Sequence, residues 1–470
     1  MVMLFPVAAN ADEVLRTAVS GETVTDGVAV SDDSVWENAI TTSTLNLGSN
    51  TSDVQSVLVV ASFECTTVGS YATDAQYKIV NSADSNVSQT LQRGLAASKT
   101  NDYGIGSLVH IFDVSSLSGN LTYTLQHLST DNRRLVTTTG TIVAIPLSTT
   151  AGTPEHLDNA CASVTGSDQM QVSTWEDVPS STVTGVTLSV AGHLYVAASI
   201  ESGQTGPNST NTGEWKIMYR QGAGDWTDLG YSMTRSTGTS TDSGLVSLVA
   251  VKLNQDAADY SFKLQHRQTV QGHVSAYSLT NNFEVVAVAL ADSNQYFTAF
   301  EGYTASPSGI TSSDITANSA TTANITPYVA TPIFVHAQYN MTSNDSSAVN
   351  TAKYDLCVDQ STPAGPVELD SREQDRYITD DADSGSGASV GLSSSLSAAT
   401  EYTASLRHAS DGTNTLVTSN AYIVGFTLGY ATAQPPVPEW PTMALVSIGI
   451  LAIILYYCAK NRRLIKTVAD

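Results

Sequence analysis

The residues best suited to chemistry in this sequence are three histidines that recur at one position of a repeated motif. They close the tripeptides Leu-Gln-His, Leu-Gln-His and Leu-Arg-His, at His127, His266 and His408. Imidazole can act as a general acid or base, or bind a metal. Side chains alternate along a strand, which places each histidine on the face of the leucine two residues before it. We therefore expect structural imidazoles that extend an apolar face and bond a turn backbone, with a ligand or metal role as the alternative.

A second recurring set combines a cation, a carboxylate and a glycine. Three arginines are spaced by 142 and 141 residues, and an Asp-x-Gly sequence follows each of them after seven to nine residues. The set consists of Arg93, Arg235 and Arg376 with Asp102, Asp242 and Asp383. Glycine suits a turn that needs a positive φ, and aspartate can bond its own turn backbone. We predict an Arg–Asp pair that fixes a loop; a repeated carbohydrate-binding site at these loops is the alternative.

Two further motifs lie close together in the third part of the chain. Asp381 and Asp383 offer carboxylates for Ca²⁺ beside Gly385, although the EF-hand spacing fails because glycine stands where an oxygen ligand belongs. We expect a solvated acidic loop and no cofactor, with a Ca²⁺ site at these carboxylates as the alternative. Residues 387–391 match G-x-S-x-G, but in a Ser/Gly-rich β repeat rather than at a strand-to-helix turn.

The sequence shows no HExxH, P-loop, dinucleotide-binding or CxxC motif. Threefold repetition of the candidate residues also favours binding or structure over catalysis. We therefore predict that the chain is not an enzyme, with no catalytic residues and no metal beyond the weak calcium candidate. A hydrolase is a third hypothesis.

These residues belong to a repeated pattern of short strands. Runs of four to eight residues rich in Val, Ile, Tyr and Thr alternate with clusters of Gly, Ser, Asn and Asp, which is typical of an all-β protein. The runs recur three times in one order. Each unit opens with an aromatic–Glu pair and continues with an aromatic strand. The pairs are Trp36-Glu37, Trp175-Glu176 and Phe300-Glu301, and the strands contain Tyr77-Lys78-Ile79, Trp215-Lys216-Ile217 and Tyr354-Asp355-Leu356.

The order of the strands resembles the jelly-roll modules of tumour-necrosis-factor-like domains and phage tail proteins. In each unit the strand ending in Leu-x-His is followed by a Gly/Asn-rich hairpin and a terminal apolar strand. The terminal strands are Thr141–Leu147, Glu284–Leu290 and Tyr422–Leu428. We predict an all-β fold of three tandem antiparallel β-sandwich, jelly-roll-like domains at residues 12–150, 151–291 and 292–430. We call them repeats 1, 2 and 3.

The end of the sequence has the pattern of a membrane anchor. Residues 442–459 contain no charged residue, and as a helix they would extend about 27 Å, close to one hydrocarbon core. The tail, residues 460–470, holds four Lys or Arg, whereas the twenty residues before Met443 hold none. This asymmetry predicts a transmembrane helix with a cytoplasmic tail and the repeats outside. Prolines make residues 431–441 a stiff spacer.

The order Val-Pro-Glu, apolar helix, basic tail resembles the C-terminal sorting signals of exosortases and archaeosortases, the PEP-CTERM and related classes. Pro438, Glu439 and Trp440 form the signal, and Trp440 stands where the best-known bacterial form has proline. The resemblance implies that a membrane transpeptidase removes the helix and attaches the protein to a lipid or surface polymer. A permanent anchor behind a stalk is the alternative. At the other end, residues 1–11 read as a trimmed signal peptide.

Charge and cysteine content limit the partners. A net charge of −24 argues against nucleic acid and leaves no polybasic membrane patch. Cys65, Cys161 and Cys357 have irregular spacing, so neither a disulfide framework nor a zinc site is indicated, although one bridge is allowed. We predict an exported structural or adhesive cell-surface protein. Its expected partners are the membrane, a sorting enzyme, and surface glycans or other copies. An array of carbohydrate-binding modules is the alternative.

Overall fold

The computed structural model describes most of the chain between residues 19 and 428, and this part is all-β. The described residues are 19–23, 28–29, 35–47, 54–67, 73–95, 103–130, 135–148, 157–164, 166–170, 173–206, 210–237, 243–273, 275–291, 298–304, 308–310, 313–315, 319–328, 330–343, 350–360, 365–367, 369–370, 374–378, 385–410 and 415–428. The chain divides into a unit of residues 1–429 and a unit of residues 430–470. The predicted signal peptide, spacer, transmembrane helix and tail lie outside the described residues. Within the described part, no helix has the length and apolar character needed to span a bilayer.

Repeat 1 contains eleven strands. They are β1 Val19–Thr23, β2 Val28–Ala29, β3 Glu37–Thr41, β4 Leu45–Asn46, β5 Val54–Thr67, β6 Thr73–Asn81, β7 Leu91–Leu95, β8 Tyr103–Asp113, β9 Asn120–Leu121, β10 Tyr123–Ser129 and β11 Leu135–Ser148.

Repeat 2 contains the next ten strands. They are β12 Leu157–Val164, β13 Asp168–Gln169, β14 Glu176–Asp177, β15 Val183–Leu188, β16 Gly192–Thr205, β17 Asn211–Gln221, β18 Thr227–Thr237, β19 Gly244–Gln255, β20 Ala258–Gln271 and β21 Tyr277–Ala291.

Repeat 3 completes the series with eleven strands. They are β22 Ala299–Thr304, β23 Ser308–Ile310, β24 Ser319–Ile325, β25 Ile333–Ser343, β26 Asn350–Gln360, β27 Gly365–Val367, β28 Leu369–Asp370, β29 Gln374–Ile378, β30 Gly385–Ser393, β31 Tyr402–Ser410 and β32 Leu416–Thr427.

Each repeat is a sandwich of two antiparallel sheets with the same strand order. The inner sheets run β1-β11-β5-β8, β12-β21-β16-β19 and β22-β32-β25-β30-β28. The outer sheets run β3-β10-β6-β7, β14-β20-β17-β18 and β24-β31-β26-β27. This is the order of an eight-stranded jelly roll made of two Greek keys. The prediction of an all-β fold built from antiparallel, jelly-roll-like sandwiches is therefore confirmed.

Alternation along the outer strands separates a buried face from an exposed one. In β10, Tyr123, Leu125 and His127 are buried, while Thr124 and Gln126 between them are part-exposed. Stacked aromatic rings of facing sheets fill the core, as for Phe63 and Tyr77, whose ring centroids are 4.0 Å apart. Packing of this kind stabilises the sandwich beyond the burial of area alone.

Strands β16 and β30 of the inner sheets are buried on both faces because the three repeats pack against one another in a closed ring. Strand β16 is buried at every position but its last. Backbone amides of each repeat donate to side chains of the next, in the cyclic order 1 to 2, 2 to 3 and 3 to 1, and one bond of each boundary illustrates this. The pairs are Gln92 N to Glu201 Oε2 at 2.9 Å, Thr234 N to Asn340 Oδ1 at 3.2 Å and Val390 N to Ser62 Oγ at 3.1 Å.

The hydrophobic cores also cross the boundaries between repeats. Leu245 of repeat 2 belongs to the core of repeat 1, and Ile105 of repeat 1 belongs to the core of repeat 3. At the equivalent position of repeat 3, Ser386 Oγ donates to the Leu245 carbonyl oxygen at 3.2 Å. The repeats therefore contribute residues to one another's cores, and they are arranged head to tail.

One repeat assignment made from the sequence does not match the strands. Glu37 and Glu176 lie in outer sheets, in β3 and β14. Phe300 and Glu301 instead lie in β22, which pairs with β32 of an inner sheet. The aromatic–Glu pair of repeat 3 is therefore not the structural counterpart of the other two, because a two-residue motif carries no information about which sheet its strand joins.

Candidate ligand-binding face on the outer sheets

The three recurring histidines lie in the cores, each beside a threonine of the opposite sheet. His127, His266 and His408 place Nδ1 at 2.7, 2.8 and 2.7 Å from the Oγ1 atoms of Thr137, Thr280 and Thr418. The aromatic residue of the neighbouring strand reaches the same hydroxyl: Tyr77 at 3.3 Å, Trp215 at 2.8 Å and Tyr354 at 2.8 Å. The bond predicted to a turn backbone thus goes to a side chain across the sandwich.

Burial decides the protonation of these imidazoles. It lowers the pKa of His127 and of His408 to about 4 each. Burial also lowers the pKa of His266. The negative charge of Asp168, whose Oδ2 lies 3.2 Å from His266 Nε2, acts in the opposite direction but is the smaller effect. Neutral imidazoles closed off from solvent are out of reach of a dissolved ligand, so these histidines join the two sheets instead of forming a site.

Two of the recurring arginines, Arg93 and Arg235, are buried against the glycines of the Asp-x-Gly sequences. Arg235 Nη1 donates to Ser202 Oγ at 3.1 Å, and Nη2 donates to the Ser243 carbonyl at 3.2 Å. A Cβ added at Gly244 would lie 2.2 Å from Arg235 Cζ, and one at Gly104 would lie 1.8 Å from Arg93 Nε. Glycine is therefore needed for close approach of a guanidinium. Asp102, Asp242 and Asp383 lie outside the described residues, as does the side chain of Arg376.

A different part of the same motifs forms a cluster on the outward face of repeats 1 and 2. Lys78 lies over the ring of Trp36, with Nζ 4.1 Å from the centroid, and Lys216 lies over Trp175 at 4.3 Å. Both tryptophans are half-buried. A glutamine and an Asn or Asp complete each cluster: Gln126 Nε2 donates to Asn38 Oδ1 at 2.9 Å, and Gln265 Nε2 donates to Asp177 Oδ1 at 2.8 Å.

In repeat 2 the cluster extends across the whole outer sheet. Arg267 lies over the same Trp175 ring, at 4.5 Å. Trp226, the residue before β18, lies against Arg220 at 4.7 Å and Lys263 at 4.4 Å. Each contact of this type contributes about 0.5–1 kcal/mol at an exposed site. The outer face of repeat 2 therefore presents two tryptophans, each held over two cations, and we call it the Trp175/Trp226 face.

Three of the cations that contact the tryptophans also form ion pairs. The closest pairs are Lys216 Nζ to Asp228 Oδ1 at 2.7 Å, Lys263 Nζ to Asp177 Oδ1 at 2.7 Å and Arg267 Nε to Glu214 Oε2 at 2.6 Å. Burial raises the pKa of the Asp177 carboxyl. The hydrogen bonds that this carboxylate accepts from Lys263 and Gln265 outweigh that effect and hold the pKa below its ordinary value. The face is thus a fixed network of paired donors and acceptors.

Repeat 3 departs from this pattern at the matching strand positions. Asp355 pairs with Arg407 between β26 and β31, where repeats 1 and 2 pair lysine with glutamine. Arg407 Nη2 donates to Asp359 Oδ2 at 2.6 Å. The cluster is therefore a feature of two repeats and is not required by the jelly roll itself.

The geometry supports non-covalent recognition of a ligand that has flat apolar surfaces and many hydroxyls. An indole held flat can stack on an apolar ring face, and the paired side chains around it offer both donors and acceptors. Among the described residues, no group of three or more His, Cys, Asp or Glu side chains is placed to hold a metal ion. The calcium candidates Asp381 and Asp383 lie outside the described part of the chain, as do Pro438, Glu439 and Trp440.

Sequence reasoning identified the motifs but not this cluster. Trp36, Trp175, Lys78 and Lys216 all belong to the recurring pairs and strands described above, and period-2 alternation would have assigned them to the outward face. Trp226 belongs to no repeated motif. Its position over Arg220 depends on the register of β17 with β18, which no local pattern specifies.

No known protein family and no curated protein matches this sequence. Several solved structures show a likeness in fold. PNGase F, a glycosylasparaginase from Flavobacterium meningosepticum, is 11% identical with a TM-score of 0.30, and the match covers 59% of this chain and 97% of that one. The N-terminal CBM22-1-CBM22-2 tandem domain from Paenibacillus barcinonensis is 10% identical with a TM-score of 0.18, over 60% and 100% of the two chains. A chain of the infectious bursal disease virus Gx strain is 10% identical with a TM-score of 0.21, over 93% and 84%.

We predicted from the repeated architecture that the chain is not an enzyme, and this prediction is wrong. A named enzyme, PNGase F, is among the similar structures. The physical reason is that catalytic groups are placed by loops and strand ends, so a repeated β-sandwich scaffold does not exclude them. With TM-scores well under 0.5, these likenesses carry no argument about an activity, a ligand or a partner of this chain.

Proposed function

We propose that this chain is a cell-surface protein that makes structural or adhesive contacts through its ring of three repeats. The observation that carries the proposal is the difference between the surroundings of the inner and outer sheets. The inner sheets are covered by ring closure, whereas two of the outer sheets hold a recurring, outward-facing tryptophan cluster. A protein that only filled space would have no need of the same surface cluster twice.

Delivery to the surface is the part of the proposal that rests on the sequence. The uncharged stretch at 442–459 and the basic tail at 460–470 support a membrane anchor with the repeats outside. Pro438, Glu439 and Trp440 support recognition by a sorting enzyme of the exosortase or archaeosortase type. Membrane retention and enzymatic processing lead to the same display outside the cell.

Protease shaving of intact cells, followed by mass measurement of the cell-associated protein, tests this proposal. We expect tryptic peptides of the three repeats to be released from intact cells. A mature C-terminus near Pro438–Trp440 supports processing, and a full-length C-terminus supports a permanent anchor. Peptides released only after lysis contradict surface display.

An array of carbohydrate-binding modules is the second candidate function. The recurrence of the tryptophan cluster favours it. The location differs from the loop sites considered from the sequence, because the candidate groups lie on the outer sheets and not at the Arg and Asp-x-Gly positions.

A further inference from the structure

We propose that the Trp175/Trp226 face of repeat 2 binds a neutral polysaccharide chain laid across its strands, with the Trp36 cluster of repeat 1 as a second and smaller subsite. This inference deepens the proposed adhesive function and rests on it. It names the ligand class and assigns residues to it.

The two tryptophans are placed as end points of an extended ligand. Trp175 directly precedes β14 and Trp226 directly precedes β18, which are the two edges of the four-stranded order β14-β20-β17-β18. Three strand spacings, roughly 14 Å, separate the backbones of these edge strands. Lys216 contacts the Trp175 ring and pairs with Asp228 in β18. Lys263 contacts the Trp226 ring and pairs with Asp177 in β14, so the contacts of the two indoles extend across the sheet. A chain of several sugar rings can cover this width.

The groups between the tryptophans favour a sugar over a protein partner. Protein interfaces place their strongest contacts in a central apolar patch. Here the centre holds the Lys216–Asp228 and Lys263–Asp177 ion pairs, and covering ion pairs with apolar side chains would cost their hydration. Sugar hydroxyls can bond to both members of an ion pair without separating them.

Charge argues for a neutral ligand. The ion pairs and cation–π contacts of the face involve four cations and three carboxylates, so these contacts leave little net charge. The cations are Lys216, Arg220, Lys263 and Arg267, and the carboxylates are Asp177, Glu214 and Asp228. The whole chain carries a net charge of −24, which repels a polyanion at long range.

Comparison of the repeats separates the ligand role from a folding role. All three repeats keep the buried His–Thr–aromatic set, as folding requires. Only repeats 1 and 2 keep a tryptophan over a lysine on the outward face, and repeat 3 folds with Asp355 and Arg407 at the equivalent positions. Two sites on one rigid unit would also raise the apparent affinity for a long polymer.

Binding of the full-length chain in detergent micelles to neutral polysaccharides tests the inference. The probes are soluble starch, xylan, mannan and mixed-linkage β-glucan, with heparin as the polyanion, followed by tryptophan fluorescence and calorimetry. We expect at least one neutral polymer to bind and heparin not to bind at physiological salt. Trp175→Ala and Trp226→Ala should each weaken binding about tenfold, and Trp36→Ala less.

Tyr328→Ala is the matched control, since Tyr328 is a 62% exposed aromatic of repeat 3 remote in sequence from both clusters. It should leave binding unchanged. Far-ultraviolet circular dichroism and the urea unfolding midpoint check the folding of each variant, and Trp175→Phe replaces Trp175→Ala if the latter is unstable. Three results overturn the inference: no neutral polymer binds, binding is insensitive to both tryptophan variants, or the variants abolish only self-association or heparin binding.

Failure of this inference is distinguishable from failure of the proposed function. Release of repeat peptides from intact cells does not depend on any glycan. Surface display without polysaccharide binding would leave the structural role and remove the ligand assignment. Polysaccharide binding by a protein that is not displayed would contradict the surface role alone.

Discussion

At the scale of single residues, the repeated motifs serve two purposes at alternate positions. In Trp215-Lys216 and in Gln265-His266, one residue points into the sandwich and the next points out. The inward members form the His–Thr–aromatic set, in which Trp215 Nε1 donates to Thr280 Oγ1 and the same hydroxyl is hydrogen-bonded to His266 Nδ1. The outward members form the tryptophan cluster. One short motif therefore specifies both a core bond and a surface group.

Replacing His408 with glutamine is predicted to reduce the acid sensitivity of the fold. Burial lowers the pKa of His408 to about 4, from an ordinary 6.5. As pH falls from 6.5 towards 4 the unfolded chain binds a proton that the folded chain does not, so stability present above pH 6.5 is lost. The wild type should lose up to about 1.4 kcal/mol per pH unit more than His408→Gln. Urea unfolding at pH 7, 6 and 5 measures this difference.

His273→Gln is the control for that measurement, because His273 is exposed. Its pH dependence should match that of the wild type. An equal slope for His408→Gln and the wild type would mean that His408 takes up its proton in the folded state at the same pH as in the unfolded chain.

At the scale of elements, strand β19 depends on the absence of a side chain at its first residue. Gly244 lets the guanidinium of Arg235, from the neighbouring part of β18, lie directly on the backbone. Arg93 and Gly104 repeat the arrangement between β7 and β8. Neither glycine has a positive φ, so the requirement is space rather than backbone conformation.

Gly244→Ala is therefore predicted to destabilise the protein by about 1–3 kcal/mol, the usual cost of an overpacked site. The added methyl group would overlap the buried arginine, which has few other positions to take. Urea denaturation of Gly244→Ala measures the loss. In an Arg235→Ala background the same substitution should cost much less, and an undiminished cost would assign the strain to another neighbour.

At the largest scale, the three jelly rolls form one compact unit of residues 1–429. Amides of each repeat bond the next in a closed cycle, and Leu245 and Ile105 complete cores that are not their own. A ring closed in this way fixes the outer sheets relative to one another. The two tryptophan clusters therefore lie on a single rigid scaffold instead of on flexible neighbours.

Leu245→Ala is predicted to destabilise repeat 1, although the residue belongs to repeat 2. Removal of a buried leucine side chain typically costs about 2–5 kcal/mol. Hydrogen exchange of the full chain should show faster exchange in β5 and β8, which border the cavity left in the core of repeat 1. Leu248→Ala, on the opposite face of the same strand, should instead affect repeat 2 first. Loss of protection confined to repeat 2 in both variants would contradict the shared core.

Much of the fold was predictable because the relevant signals are local. Alternation of side chains in Leu125-Gln126-His127 indicates a strand with one buried face, and its threefold recurrence indicates three equivalent sandwiches. The candidate site was only partly predictable. Trp36 and Trp175 recur, but the partner of Trp226 depends on strand pairing. The role of Phe300 was misassigned for the same reason.

The sequence by itself determined that the chain is β-rich, that it repeats three times, and which residues of each motif share a face. These properties follow from periodicity, which is a property of neighbouring residues. Only the tertiary structure decided that Leu245 fills the core of another repeat, that Thr280 joins Trp215 to His266, and that Trp175 and Trp226 stand at opposite edges of one sheet. Such contacts arise between residues far apart in the chain, where the free energy depends on packing and register that no local pattern records.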